Sequence, residues 1–297
     1  MEKVTRHLVR HAQQLAREVD ARAVLVYADA IRQDDELRQL LNEVEFPVIL
    51  VTRSRDAGAP PCPEPHAWVT VPDVPMTRAG QVKAAVLVSL ARGVLRRGDR
   101  VICLAGVDGT GGVDGLLVLD LGTEPELFSL FDTSAFAGDV APEVFERTLS
   151  LAAQLAAEGR EGRPVGALFV LGDSERVLAQ SRSLVLNPFH GHPESERNIL
   201  DPDLEETIKE FAALDGAFVV RGDGVVLTAG TQLVPTACRV LLPAGLGTRH
   251  AAAACITAST TAVSLCVSQS TGTVSVFRAG NLITDIRRPD KGNRFAL

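Results

Sequence analysis

Two short segments bring together residue types that can do chemistry. Leu214-Asp215-Gly216-Ala217 sets a carboxylate at a helix-to-strand corner and follows it with two small residues, against which a ligand can lie flat. Gly247-Thr248-Arg249-His250 sets a hydroxyl, a guanidinium and an imidazole at a helix start. The carboxylate suits a divalent metal or a sugar hydroxyl. The second segment suits a polyphosphate: unpaired N–H groups at a helix N-terminus attract anions, arginine grips phosphate with two bonds, and histidine donates or reaches a metal. Ser268-Gln269-Ser270-Thr271-Gly272 adds hydroxyls at a strand end. Taken singly, each segment also reads as an ordinary turn. The position of Asp215 points further, because a carboxylate at a helix C-terminus opposes the helix dipole. His190 and His192 in a polar loop, and His7 and His11 on one helix, read as surface residues.

The elements that must position these segments alternate between helix and strand. Residues 4 to 19 form an amphipathic helix, with Val4, Leu8, Leu15 and Val19 near helical spacing. Ala23 to Tyr27, Pro47 to Val51 and Trp68 to Val71 are short apolar strands, with a helix at Asp34 to Leu41 and another over residues 78 to 96. Arg100 to Ala105 leads into the glycine-rich turn Gly106 to Gly112, which lacks the following helix and the lysine of a phosphate loop, and Leu116 to Leu121 returns. Pro125 and the stretch Asp139 to Pro142 mark a boundary, which divides the chain into residues 1–123 and 124–297. In the second part Val144 to Ala157 is a helix, Val165 to Leu171 a central strand and Leu178 to Val185 an edge strand. Asp201-Pro202 caps a helix with Leu204, Ile208 and Phe211 on its buried face. Phe218 to Val220 and Val225 to Thr228 are strands joined by a hairpin turn, Ala251 to Ala258 is an alanine-rich helix, and Ala262 to Val267, Thr273 to Phe277 and Leu282 to Thr284 are strands. This order predicts an α/β fold in two layered domains.

Composition narrows the functional classes. Of 297 residues 46% are hydrophobic and 23% charged, and the net charge is -7, which disfavours a protein that tracks a nucleic-acid backbone. One Trp and one Tyr leave few platforms for stacked bases. Cys62, Cys103, Cys238, Cys255 and Cys266 show no CxxC spacing and read as free thiols of a reducing cytosol. No apolar run reaches the roughly 18 residues that span a bilayer. The expectation is a cytoplasmic protein with neither membrane nor nucleic-acid partner.

Several of these segments, in order, resemble the diadenylate cyclase (DAC) domain family over roughly residues 126 to 288. The matching pieces are Gly162-Arg163-Pro164-Val165-Gly166, Leu171-Gly172-Asp173, Leu214-Asp215-Gly216-Ala217, Gly247-Thr248-Arg249-His250 and Val267 to Gly272. Asn187-Pro188-Phe189 and Arg197 to Pro202 are similar to the archaeal-type soluble branch. Residues 20 to 122, through Gly98 to Gly106 and the glycine turn, resemble the C-terminal domain of pyruvate kinase, which implies a fold and no activity. The cyclase resemblance implies condensation of two ATP into cyclic di-AMP with release of pyrophosphate and use of a Mg or Mn ion. On it Asp215 holds the metal and helps activate the ribose hydroxyl, with Arg249 and His250 as its catalytic companions. Thr248, Arg249, His250 and Ser268 hold the triphosphate, Gly216 and Ala217 line the nucleotide, and Gly247, Ser270 and, toward the adenine, Leu233 also contact it. One motif set per chain and two nucleotides per product imply a homo-oligomer with paired sites. Two departures stand out: Ala251 occupies the place of a second arginine, leaving Arg278 or Arg239 as substitutes, and Gln269 and Ser270 stand where many relatives carry an acid. The alternative is a catalytically weak DAC-fold sensor of ATP or cyclic di-AMP.

Overall fold

The computed structural model describes residues 3–30, 46–53, 66–106, 112–122, 139–235, 240 and 245–289. The helix expected at Asp34 to Leu41, the centre of the glycine turn, Cys62, Cys238 and Arg239 lie outside them. The chain divides into two compact units, the second spanning Phe131–Arg288. The expected boundary after residue 123 falls outside the described residues.

The first unit is a five-stranded sheet in the order β3-β2-β1-β4-β5. It is built from β1 (Ala23–Tyr27), β2 (Val48–Thr52), β3 (Ala67–Thr70), β4 (Arg100–Ala105) and β5 (Gly115–Asp120). The first four run parallel and β5 returns antiparallel. β1 and β2 are buried at every position, as expected of apolar runs covered on both faces. Helix α1 (Lys3–Glu18) packs Val9, Ala12 and Ala16 against Val24, Val26, Leu50, Ile102 and Leu104. The expected helix face is therefore rotated. Val4 is 56% exposed, while Leu8, Leu15 and Val19 only flank the contact. Two alanines at its centre let the helix backbone approach the sheet, and Thr5 locks the angle by bonding both N and O of Val113. Helix α2 (Arg78–Ala91), capped by the Thr77 hydroxyl on Gly80 N, is buried from Gly80 to Ala91.

The second unit is a seven-stranded mixed sheet in the order β12-β11-β10-β6-β8-β9-β7. Its strands are β6 (Ala167–Leu171), β7 (Ser181–Ser183), β8 (Ala217–Val220), β9 (Val226–Leu233), β10 (Val263–Val267), β11 (Val274–Arg278) and β12 (Asn281–Ile286). Its helices are α3 (Pro142–Glu158), α4 (Ser174–Ala179), α5 (Glu205–Phe211) and α6 (Thr248–Ser259). Leu168, Val170, Ala217, Val219, Cys266 and Phe277 meet Ala253, Ala254 and Ile256 of α6 on one face. The small residues of α6 bring its axis close to the strands. Alternation sends Phe169 to the other face, stacked on Phe218 with centroids 4.9 Å apart. Helix α3 lies along β6, β10 and β11 and contributes nothing to the α6-side cluster.

Local departures have identifiable causes. The stretch expected as one edge strand at Leu178 to Val185 is the end of α4 followed by the three residues of β7, because Val177 is what the core takes from it. Strand β9 runs to Leu233, well beyond Thr228. Gly230 sits at φ 65° within the strand, and the pairing with β8 is irregular. Pro202–Leu204 is a 3-10 turn before α5, although Asp201 does accept from Asp203 N. Cys103 and Cys266 are free and buried, and burial pushes both thiols up to about 12. Cys255, however, is disulfide-bonded, so the expectation of five free thiols fails there. Among the described residues no helix is long and apolar enough to cross a membrane.

Candidate active site

The strand order places several chain ends on one rim of the second sheet. β6 and β8 are parallel neighbours, so both begin at the same edge. β10 runs antiparallel to β6 and ends there, with Val267 opposite Ala167. Asp215 and Gly216 precede β8, and the Ser268–Thr273 turn follows β10. Helix α6 starts at Thr248, beside the same rim.

Asp215 and Arg249 meet, although 34 residues separate them. Arg249 Nη2 donates to Asp215 Oδ1 at 3.3 Å. The Asp215 side chain is 90% exposed and that of Arg249 is 29% exposed, so the carboxylate faces solvent while the guanidinium is held against the protein. The contact neutralises two groups without burying either fully, and such a pair adds little stability. Its importance is positional.

Gly216 explains how Asp215 is held at the rim. Its φ is 106°, and a Cβ there would lie 2.6 Å from Thr231 N and 2.7 Å from Gly230 C. No other residue fits both the backbone angle and the space. Behind it the buried hydroxyls of Thr228 and Thr231 bond one another at 2.8 Å. Ala217 is buried opposite Thr231. Leu233 lies two residues further along β9, toward the Asp215 side of the ladder, and is half-buried.

Gly247 is the N-cap of α6, and among the described residues no side chain caps the first turn. Its carbonyl accepts from His250 N and Ala251 N, each at 3.1 Å. Thr248 is exposed there. His250 lies apart from this polar surface. It is 6% exposed, its ring meets Phe277 edge-on with centroids 6.1 Å apart, and burial holds its pKa below the usual value. Burial there disfavours the charged imidazolium. In the β10–β11 turn, Ser268 Oγ lies 3.3 Å from Ser270 Oγ and accepts from Thr271 N at 3.3 Å.

Of the two arginines expected as substitutes, the described residues include Arg278 alone. Arg278 ends β11, whereas Val274 at the start of that strand pairs with Val267 at the rim. Four residues of strand put Arg278 roughly 13 Å from that edge. It is buried, close to Asp139, with Nη1 lacking a hydrogen-bond partner. It therefore does not replace the arginine missing at Ala251. Arg239 lies outside the described residues. His192 is exposed and sits 3.8 Å from Glu196, in the polar loop. The residue that sequence reasoning missed is Gly166, directly against Arg249; its proline-flanked turn is the available signal.

The donor set fits a hard divalent cation held in part by substrate. Among the described residues there is no group of three or more His, Cys, Asp or Glu that could hold a metal ion. Asp215 offers an exposed carboxylate, and magnesium is typically bound by one or two carboxylates together with phosphate oxygens. The rim thus presents a carboxylate, a fixed guanidinium, an uncapped helix start and serine hydroxyls within one sheet edge, an arrangement suited to a nucleoside polyphosphate.

A family described as "DAC: DisA bacterial checkpoint controller nucleotide-binding" matches residues 154–282. A second, described as "Probable sensor domain DacZ_P", matches residues 5–128. The pyruvate-kinase likeness of this first part has no such support. A protein of Haloferax volcanii named diadenylate cyclase is 35% identical over 208 residues, 69% of this chain and 74% of its own length. One of Methanocaldococcus jannaschii with the same name is 33% identical over 203 residues, 68% of this chain and 64%, just under two thirds, of its own length.

Proposed function

The chain belongs to the DAC-domain family of diadenylate cyclases, and from that premise we propose that it condenses two molecules of ATP into cyclic di-AMP, releasing two pyrophosphates. In each half-reaction the ribose 3′-oxygen of one nucleotide bonds to the α-phosphorus of the other. The bond to pyrophosphate breaks, and the hydroxyl proton is lost. Such a reaction is accelerated by in-line positioning and by stabilising developing negative charge. The observation that carries the reading is the Arg249–Asp215 contact at the uncapped start of α6. It joins a carboxylate suited to the ribose hydroxyl with a cation suited to the departing phosphates.

In this reading Arg249 and the first-turn N–H groups of α6 hold the triphosphate, assisted by Thr248, Ser268 and Ser270. Asp215 holds the divalent cation together with phosphate oxygens and orients the attacking hydroxyl. The cation, Mg or Mn, supplies charge neutralisation when bound. Gly216, Ala217 and Leu233 line the nucleoside, and Gly247 allows close approach of the phosphates. His250, buried within the first turn of α6 against Phe277, anchors the turn that carries Arg249. Because each chain carries one site, two chains present their sites to each other.

The test is incubation of purified protein with ATP and Mg²⁺ or Mn²⁺, followed by mass detection of cyclic di-AMP. Product is expected, with loss on chelation of the metal. Asp215→Asn is expected to lose product while keeping most ATP binding. Bound ATP with no product under either metal would instead support a sensor of nucleotide.

A further inference from the structure

Gly166 immediately precedes β6, and its backbone does not call for glycine. Its φ is outside the left-handed region, unlike that of Gly216. What distinguishes it is the occupant of the space where a side chain would be. A Cβ at 166 would lie 2.8 Å from Arg249 Nη1, 3.2 Å from Gln269 Cβ and 3.2 Å from Val267 O. The guanidinium of Arg249 thus fills the missing side chain's place, while its other terminal nitrogen reaches Asp215.

Two of these three neighbours are fixed. Val267 is paired in the ladder between β6 and β10. Gln269 is tied down because its Nε2 donates to Pro164 O at 3.2 Å. Arg249 Nη1 is the far end of a flexible chain and is the group free to yield. A methyl at this position would therefore displace the guanidinium furthest, while the ladder-bonded Val267 O and the tethered Gln269 Cβ need shift by only a few tenths of an ångström.

We propose that Gly166 is a positioning residue, whose absent side chain forms the slot that holds the Arg249 guanidinium across the start of β6 and directs it to Asp215. Its consequence for turnover rests on the cyclase reading; the placement of Arg249 does not. Polyphosphate affinity and transition-state stabilisation both depend on where that cation sits, and a displacement near 1 Å costs up to about 10²-fold.

The experiment compares the full-length wild type, Gly166→Ala, Arg249→Ala and the double variant by crystal structure, melting temperature, ATP binding and cyclic di-AMP production. Gly166→Ala should melt within about 3 °C of wild type. Its structure should show Arg249 swung out of the slot and away from Asp215. Its kcat/KM for ATP should fall by about tenfold or more, with no further fall when the substitution is added to Arg249→Ala. The proposal is overturned if Arg249 is unmoved in Gly166→Ala, if the variant melts far below wild type, or if the loss is the same in both backgrounds. A wild type that makes no cyclic di-AMP would sink the cyclase reading instead. The slot would then be judged by the crystal structures alone, with ATP binding compared across the same four proteins as its functional readout.

Discussion

Asp215 presents nine-tenths of its side chain to solvent although it belongs to the most constrained corner of the sheet. An exposed pair of this kind adds little stability, so the open carboxylate is free to bind other groups at little cost to the fold. His250 is the opposite case. It stands next to Arg249 in sequence but is buried against Phe277, with its pKa held down by desolvation. The folded chain therefore binds a proton at His250 less readily than the unfolded chain does. Stability linked to this residue is present above the unfolded value of about 6.5 and falls as pH drops through it, until the lower folded value is passed. Melting temperatures of wild type and His250→Gln from pH 8 to 5 should show this. Wild type is expected to be the more stable at pH 8, with the gap narrowing toward pH 5. A gap that widens with acid would mean that the folded imidazole is charged.

Helix α6 and the β8–β9 pair act as the two jaws of the site. The helix packs Ala253 and Ala254 into the core with no exposure, so its N-terminus is anchored by close backbone approach. Its uncapped first turn leaves dipole and N–H groups for an anion. On the other side, the irregular pairing of β8 and β9 gives Gly216 its positive φ and seats it on Thr231. Gly216→Ala places a methyl within 2.6 Å of a backbone nitrogen at a φ of 106°. Backbone strain alone costs about 1–3 kcal/mol. We expect a clear fall in melting temperature together with loss of product, in contrast to the cheap Gly166→Ala. Equal stability of the two variants would mean that the rim is far softer than its packing implies.

At the scale of the whole molecule, stoichiometry sets the demand. On the proposed reaction, a product made of two nucleotides and one Asp215–Arg249 site per chain call for two chains that work as a unit. Activity per chain should fall on dilution, in step with dissociation measured by light scattering or ultracentrifugation. Constant activity in demonstrated monomers would exclude paired sites. The first unit brings a covered α/β sheet that matches a sensor-domain family. Among the described residues it holds no group of His, Cys, Asp or Glu able to bind a metal.

The alternation of helix and strand, the α/β class and the candidate residues Asp215, Thr248, Arg249, Ser268 and Ser270 were legible in the sequence, because apolar periodicity and turn chemistry are local. Long elements such as α3 and α6 were clearest, since several turns of pattern agree. The buried face of α1 was not legible, because a stripe of alanines competes with one of leucines and only the sheet chooses between them. Nor was the extension of β9 past Thr228 to Leu233. What the tertiary structure alone decided is which residues meet. The order β10-β6-β8 brings Arg249 to Asp215 across 34 residues, slots it over Gly166 and sends Arg278 to the far end of β11. Neighbouring strands in a mixed sheet are chosen by packing across the whole core, so a charge can be read from a sequence well before its partner can.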